Sequence, residues 1–300
     1  MNNPANTMQV AVATQNSLGE CTLWCERQQA LLWTDIIGQT LYRFMPATGI
    51  STQWQMPEQL GSFALTLDDD RLLLGLASQL AYFCLSTGEL QSICPVESEL
   101  TNTRINDGRC DRQGRFVFGT FNQHDQAAIG GFYRLNHDLS LERLPLRKVA
   151  VANSICFSPD GATMYYADSE ARQIFCCDYH PVTGEIRNDR LFVDLRHQAG
   201  APDGSCIDAA GYLWNAEWRG ARIVRYNPLG MLDRSFTLPA SQITCLCFGG
   251  QNLREIFISS ARVSLDEITL QSEPHAGAII HVALDDVQGL PEERFLGKYL

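Results

Sequence analysis

Three familiar patterns are missing from this sequence of 300 residues. No stretch of a dozen residues keeps apolar side chains at helical spacing without an interrupting glycine, proline or turn residue, which argues against a helical domain. No segment has the roughly 20 consecutive apolar residues that a membrane-spanning helix needs. The N-terminal segment, MNNPANTMQVAVATQ, lacks the basic and apolar regions of a secretory signal peptide. We therefore expect a β-protein with no membrane partner.

A positive charge excess is also missing. The chain has 23 lysine and arginine residues against 34 aspartate and glutamate residues, which gives a net charge of -11. Proteins that bind nucleic acid or anionic lipid through their overall charge are basic, so we expect neither partner. The 45% hydrophobic and 19% charged residues are typical of a globular chain.

The cysteine and histidine patterns of metal sites are absent as well. The eleven cysteines include no CxxC pair, and most lie inside apolar runs, as Cys156, Cys206 and Cys245 do. This pattern is typical of reduced thiols packed as small hydrophobic side chains, and it predicts a cytoplasmic protein without a disulfide framework. The six histidines show no HxH or HxxxH spacing, so we predict no histidine-based metal site.

What the sequence does contain is a repeat. Each of six segments has a short apolar run, a polar or glycine-containing turn and a bulkier second run, beginning at Leu18, Leu60, Ile105, Val151, Ala201 and Ile243. The equivalent bulky residues of the second runs are Trp33, Leu74, Phe118, Tyr166, Trp214 and Ile258, at separations of 41, 44, 48, 48 and 44 residues. An all-β repeat of about 40 to 50 residues predicts the blades of a propeller.

Six repeats predict a six-bladed β-propeller that forms a single domain over residues 1–300. The run at residues 8–14 has no partner of its own, and we expect it to complete the last blade and close the ring, which removes exposed sheet edges. The alternative is a sandwich, or two small β-domains, built from stacked hairpins. No proline- or serine-rich linker divides the chain, and the regular unit length favours the propeller.

Polar residues stand where the first run of each repeat begins. We expect them to precede the innermost strands, which line the central channel of a propeller; they are Glu20, Ser62, the Asn106-Asp107 pair, Asn153, Asp203 and Thr244. Equivalent positions would then meet around one axis. The two carboxylates and one amide oxygen of Glu20, Asn153 and Asp203 suit a hard divalent cation such as Ca²⁺, Mg²⁺ or Mn²⁺, and Zn²⁺ is also compatible.

These residues also have simpler interpretations. Pro202-Asp203-Gly204 is a common turn sequence, in which the aspartate side chain bonds to nearby backbone. Arg104 and Asn106 lie two apart in an extended segment, so their side chains share a face and can donate hydrogen bonds to a polyhydroxyl ligand. The alternative for Arg104 is an exposed side chain that only solvates a loop.

Four of these segments together resemble the gluconolactonase family, which includes regucalcin (senescence marker protein) and bacterial sugar lactonases. The matching motifs are LGECTLW with Glu20, RINDGRCDRQGRF with Arg104 and Asn106, VANSICFSPDG with Asn153, and APDGSCIDAAGYLWNAEW with Asp203. Their order and spacing agree along nearly the whole chain, so chance similarity does not explain the match.

The resemblance implies a six-bladed propeller with one catalytic divalent metal ion at its centre, bound by Glu20, Asn153 and Asp203. It also implies the hydrolysis of a sugar (aldono) lactone to the sugar acid. In that reaction Asp203 is the acid/base residue, and Arg104 and Asn106 hold the substituents of the sugar ring.

One segment departs from the family pattern. Some members carry an acidic substrate-contacting residue shortly after the GT motif of the third blade, where this chain reads GTFNQHDQ. Gln123 or His124 falls near that position, and we predict His124 as a further substrate-binding residue. The departure concerns substrate preference and leaves the metal site unchanged.

Two other function classes fit the same scaffold. A hydrolase that acts on phosphotriesters or other activated esters would have a more apolar site than Arg104 and Asn106 indicate. A non-catalytic propeller that binds calcium or proteins would carry an apolar or charged rim, and fold alone does not exclude it. We predict a metal-dependent sugar lactonase of sugar-acid catabolism, with a small-molecule substrate and one divalent ion (Ca, Zn, Mn or Mg) as cofactor.

Overall fold

A computed structural model describes residues 8–298, most of the single domain expected over residues 1–300. These residues form 24 strands and one short helix, α1 (Glu267–Ser272). The strands are β1 (Met8–Val12), β2 (Gly19–Cys25), β3 (Ala30–Asp35), β4 (Thr40–Met45), β5 (Ile50–Gln55), β6 (Leu60–Leu65), β7 (Arg71–Leu76), β8 (Gln79–Cys84), β9 (Leu90–Pro95), β10 (Thr103–Cys110), β11 (Phe116–Asn122), β12 (Phe132–Leu135), β13 (Leu141–Arg143), β14 (Ala152–Phe157), β15 (Thr163–Asp168), β16 (Gln173–Tyr179), β17 (Ile186–Asp194), β18 (Ala201–Ile207), β19 (Leu213–Trp218), β20 (Arg222–Tyr226), β21 (Leu232–Thr237), β22 (Ile243–Gly249), β23 (Glu255–Ser260) and β24 (Ile279–Ala283).

The strands form six four-stranded antiparallel sheets, and each sheet is one blade of a propeller. Blades 1 to 5 each use four consecutive strands, and their innermost strands are β2, β6, β10, β14 and β18. Blade 6 has the order β1-β24-β23-β22, with Met8 opposite Val282, and its innermost strand β22 packs against β2 to close the ring. The predicted six-bladed propeller is confirmed, and so is its closure by the N-terminal strand.

The core lies between the blades. The six bulky repeat residues all lie on second strands and are fully buried; they are Trp33, Leu74, Phe118, Tyr166, Trp214 and Ile258. Each of six apolar clusters joins residues of two neighbouring blades. Because a blade is covered on both faces, its inner strands are nearly continuous apolar runs rather than alternating ones. Burial of each large side chain stabilises the ring by about 1.5–3 kcal/mol.

Every innermost strand contains a β-bulge near its beginning. The register against the second strand shifts between Glu20 and Leu23, Leu60 and Ser62, Ile105 and Gly108, Asn153 and Cys156, Pro202 and Ser205, and Ile243 and Leu246. A bulge leaves residues unpaired and re-aims their side chains. The expectation that the polar residues precede the strands is therefore wrong, because they lie inside the strands, at the bulges.

The turn interpretation of Pro202-Asp203-Gly204 is also wrong, since these residues belong to β18. An innermost strand is one edge of its sheet, where proline is tolerated. Gly204 is required by a close approach of β18 to β22, because a Cβ at this position would lie 2.7 Å from Cys245 Sγ and 2.8 Å from Cys245 Cα. The sequence that resembles a turn is instead the close packing of two strands around the channel.

The cysteines agree with the sequence analysis. All eleven are free, and nine of them are buried. Among the residues that the structure describes, no helix is long and apolar enough to cross a membrane.

Candidate active site

The beginnings of the innermost strands open into a cavity of about 460 Å³. The five residues predicted from the motifs lie in this cavity, although they come from four different blades; they are Glu20, Arg104, Asn106, Asn153 and Asp203. The remaining lining residues are Leu18, Ile37, Gln59, Phe121, Gln123, Val151, Ser169, Glu170, Trp218 and Val263. The structure thus brings the predicted polar set together at one open end of the channel.

Glu20 and Asp203 are the two acidic groups of this set, and they line the cavity within electrostatic range of each other. Burial, with the nearby Asp107 carboxylate, raises the pKa of Glu20. Burial, with the Glu20 carboxylate, raises the pKa of Asp203 well above its ordinary value. Two carboxyl groups held next to each other in this way do not both ionise without a compensating positive charge.

Asn153 is held by hydrogen bonds that fix its orientation. Its Nδ2 donates to Ser169 Oγ (2.8 Å), and its Oδ1 accepts from Asn106 Nδ2 (3.0 Å). The Ser169 hydroxyl in turn donates to the carbonyl oxygen of Pro202 (2.6 Å), next to Asp203. The amide oxygen of Asn153 still has a second lone pair, so it can also face a bound cation.

Arg104 is buried, so the alternative of an exposed arginine that solvates a loop is wrong. Its Nη1 donates to Asn106 Oδ1 (2.6 Å) and to the carbonyl oxygen of Ile105 (2.9 Å). The guanidinium carbon lies 4.7 Å from the ring centroid of Phe121. Burial lowers the pKa of Arg104 to about 10, which leaves it charged at neutral pH, with further N–H groups to donate to a ligand.

Two aspartates that the sequence analysis missed position the loops before the site. Asp35 accepts a hydrogen bond from the backbone N–H of Leu18 (2.9 Å), and Asp168 accepts one from that of Val151 (3.2 Å). They fix the chain just before the innermost strands of blades 1 and 4. Both end the second run of their repeat, in LLWTD and YYAD, and this recurrence was the signal in the sequence.

A third missed residue, Asp107, lies within electrostatic range of both Glu20 and Asp203. Its Oδ1 accepts from the N–H of Gly108 and its Oδ2 from the N–H of Ile155, both at 2.8 Å. Burial also raises the pKa of Asp107. In the sequence Asp107 is half of a polar pair, and no local pattern indicates that its carboxylate lies near those of Glu20 and Asp203.

Gln123 and His124, the two residues near the position of the family's acidic substrate contact, follow β11 and differ in their relation to the cavity. Gln123 lines the cavity. His124 does not line it, although both side chains are exposed. A contact between His124 and a substrate therefore stays a prediction, and Gln123 is the neighbour that the fold places at the cavity wall.

The oxygen atoms of Glu20, Asn153 and Asp203 fit a divalent cation in number and kind. No cluster of three or more histidine, cysteine, aspartate and glutamate side chains that could bind a metal occurs within residues 8–298, so a site here depends on the asparagine. The pair of carboxyl groups with raised pKa values supports the fit, because a cation would allow both to ionise.

Comparison with known proteins gives one consistent result. The family described as "SMP-30/Gluconolactonase/LRE-like region" matches residues 18–262. The chain is 47% identical to an L-arabinolactonase of Azospirillum brasilense over 98% of this chain and 97% of that protein. It is 30% identical to regucalcin of Xenopus laevis, over 97% and 98% of the two chains. The solved structure of the calcium-binding protein regucalcin from Agrobacterium tumefaciens has a TM-score of 0.92 and 27% identity, and the match covers 97% of each chain.

Proposed function

The chain belongs to the SMP-30/gluconolactonase/LRE-like family, and we propose that it hydrolyses a sugar lactone to the sugar acid at a site with one bound divalent metal ion. The observation that carries the proposal is the meeting of Glu20, Asn153 and Asp203 with Arg104 and Asn106 in one open cavity. The name of the 47% identical relative makes L-arabinonolactone the first substrate to test. The free cysteines support a cytoplasmic reaction. The proposed product, a sugar acid, would place the reaction in sugar-acid catabolism.

The metal ion would be held by Glu20, Asn153 and Asp203. Their oxygen ligands favour Ca²⁺, Mg²⁺ or Mn²⁺, with Zn²⁺ compatible, and calcium is the first to test because a structural neighbour is described as calcium-binding. When bound, such an ion supplies a Lewis acid that polarises the lactone carbonyl and stabilises negative charge on its oxygen.

Asp203 is the residue proposed to move the proton. Its carboxylate accepts a proton from the attacking water as the water oxygen bonds to the lactone carbonyl carbon. The bond from that carbon to the ring oxygen then breaks, and Asp203 returns the proton to the ring oxygen. The products are a carboxylic acid and a free hydroxyl on one open-chain sugar acid.

Arg104 and Asn106 are proposed to orient the sugar. The contacts of Arg104 with Phe121, Ile105 and Asn106 use one face and one nitrogen of the guanidinium, so its other N–H groups can donate to substrate hydroxyls. The hydrogen bond from Asn106 to Asn153 couples substrate binding to the orientation of a proposed metal ligand. An oriented substrate reacts faster because less freedom is lost in the transition state.

The test is proton release from a panel of aldonolactones, followed with a pH indicator before and after chelation. We expect turnover of at least one lactone, loss of turnover in chelator and recovery when excess Ca²⁺ or Mn²⁺ is added back. The control is the spontaneous hydrolysis of the same lactones with chelator and no protein. Unchanged turnover in chelator would exclude the metal role.

The same panel separates the alternatives. Turnover of an activated phosphotriester, with none of any lactone, would indicate the esterase-type hydrolase. Tight Ca²⁺ binding with no turnover of any substrate would indicate a calcium-binding propeller without activity.

A further inference from the structure

The other end of the channel is covered by residues 285–298, here called the C-terminal strap. The strap pairs with blade 5 through the bridge between Asp208 and Gly289. It then crosses to blade 2, where the N–H of Phe295 donates to the carbonyl oxygen of Leu65 (2.8 Å). Both contacts involve the far ends of innermost strands, so the strap lies opposite the cavity of the candidate active site.

The strap places an acidic side chain inside this closed end. Glu292 Oε2 lies 3.5 Å from Arg109 Nη1, and the two side chains are only 12% and 13% exposed. Arg109 belongs to β10 and lines a cavity of about 30 Å³ together with Glu292 and with Cys156 and Cys206, which come from two other innermost strands. The guanidinium of Arg109 therefore occupies the channel itself, with Glu292 as its counterion.

A row of charges connects Arg109 to the candidate active site. Asp107 lies between them along β10, one residue after Asn106, which lines the cavity, and two residues before Arg109. Its carboxylate is within electrostatic range of Glu20 and Asp203 and also of Arg109 and Glu292. Residues 107 and 109 are about 7 Å apart along an extended strand. At that spacing, inside a protein, charges interact far more strongly than they do across bulk water.

With every group ionised, the charges of the row balance only when a divalent cation is present. Four carboxyl groups take part, from Glu20, Asp107, Asp203 and Glu292, and two guanidinium groups, from Arg104 and Arg109. A divalent cation between Glu20 and Asp203 brings this set to neutrality. Without the Glu292 carboxylate, the set has one negative charge fewer, in a channel that has to accept another cation.

We propose that Glu292, held in the channel by the C-terminal strap, neutralises Arg109 and thereby strengthens divalent-cation binding at the opposite, open end. Glu292 is a positioning residue in this inference, because it acts through Arg109 and touches neither substrate nor metal. The inference rests on the metal site of the proposed function.

The chain offers a matched control. Glu293 is the next residue of the strap, and its Oε1 lies 3.4 Å from Arg112 Nη1, so it makes an ion pair of nearly the same length. The Glu293 side chain is 37% exposed, so its charge is screened by solvent. Glu293→Gln therefore removes the same kind of pair from the same strap without changing the charge inside the channel.

The experiment is isothermal titration of the metal-free full chain with Ca²⁺ and with Mn²⁺ at low ionic strength. We expect Glu292→Gln to raise the Kd roughly tenfold and Glu293→Gln to leave it within about twofold. The double variant R109Q/E292Q should return the Kd toward that of the unmodified chain, because it removes both charges. Thermal melts of the metal-free variants show whether each is folded.

The outcomes are distinguishable. An unchanged Kd for folded Glu292→Gln, in a protein whose unmodified form binds the ion, would overturn the inference and leave the proposed function standing. Equal weakening by Glu292→Gln and Glu293→Gln, or no recovery in R109Q/E292Q, would show a purely structural role of the strap and also overturn it. If the unmodified chain binds neither ion, the metal site of the proposed function fails, and the inference fails with it.

Discussion

The two ends of the central channel are built from the same six strands, yet they differ in space, charge and covering. The open end has a cavity of about 460 Å³ with acidic, amide and guanidinium groups in its lining. The closed end leaves about 30 Å³ among cysteines, apolar side chains, the Arg109–Glu292 ion pair and the rest of the C-terminal strap. That volume holds one or two water molecules at most.

The difference follows from where the strands are regular. At the open end each innermost strand is bulged, and the unpaired residues there include Asp203 and Asp107, whose carboxyl groups resist ionisation. At the closed end the ladders are regular and the strap fills the remaining space. The acidic groups of the open end therefore lower the stability of the fold, whereas the packing of the closed end raises it. Substitutions at the open end should lower activity without lowering stability, and substitutions at the closed end should lower stability without lowering activity.

The largest expected effect is that of Asp203→Asn at the open end. Loss of the proposed proton carrier should lower kcat by about 10³-fold or more. The metal-free variant should melt no lower than the unmodified chain, because a buried acidic group has been removed. Lactone hydrolysis and thermal melts measure the two quantities.

Glu170→Gln is the control for Asp203→Asn. Glu170 lines the same cavity but is exposed, and we expect kcat to change by less than about threefold. A loss of less than about tenfold in Asp203→Asn would remove this residue as the acid/base group.

The converse prediction concerns Phe295→Ala at the closed end. Phe295 is 1% exposed and packs with Tyr82 and other apolar residues of blades 2 and 3. Its truncation should lower the free energy of unfolding by about 3–5 kcal/mol. Activity per folded molecule in excess metal should stay the same.

Leu296→Ala tests whether that cost comes from burial. Leu296 is the neighbouring strap residue and is 43% exposed, so its truncation should cost no more than about 0.5 kcal/mol. Equal destabilisation by the two substitutions, measured by denaturant unfolding, would contradict the comparison of a functional end with a stabilising one.

The sequence predicted the ring better than its details because the ring depends on repetition. Six equivalent bulky residues, such as Trp33 and Trp214, mark the second strand of each blade, and their burial between blades is what the spacing indicates. The predicted meeting of Glu20, Asn153 and Asp203 followed from the same repeat. Position in the repeat determines position around the axis, whatever the distance along the chain.

The bulges and the strap did not follow from the sequence for physical reasons. A bulge has no composition of its own, so Pro202-Asp203-Gly204 had the composition of a turn, and only the packing of Gly204 against Cys245 identifies it as strand. The strap lies outside the repeat, and its partners are distant in sequence, as Arg109 is from Glu292. Periodicity predicts neither feature.

A smaller effect is expected from pH. The folded pKa of Glu20 is raised from 4.5 to about 8, and that of Asp203 is raised too, so the metal-free folded state binds more protons than the unfolded state in this window. The free energy of unfolding should therefore fall as pH rises from about 4.5 to about 8. Ca²⁺ should reverse part of the loss, because it stabilises the ionised pair.

Glu20→Gln isolates this effect. The metal-free variant should melt a few degrees higher than the unmodified chain at pH 8 and similarly at pH 4, since only the ionised glutamate is costly. Thermal melts across this pH range, with and without Ca²⁺, provide the measurement. A melting temperature that rises with pH in the metal-free unmodified chain would contradict the electrostatic account of the open end.

The smallest expected effect separates two neighbours at the rim of the open end. Both side chains are exposed, but Gln123 lines the cavity and His124 does not, although the family resemblance left both open and favoured His124. Gln123→Ala should lower kcat/KM by about three- to tenfold, the value of one hydrogen bond to a sugar hydroxyl, mainly through KM. His124→Ala should change kcat/KM by less than about twofold, because solvent already satisfies its ring. A larger effect of His124→Ala would contradict this assignment. The rim would then have to rearrange around the substrate and bring His124 into the cavity wall.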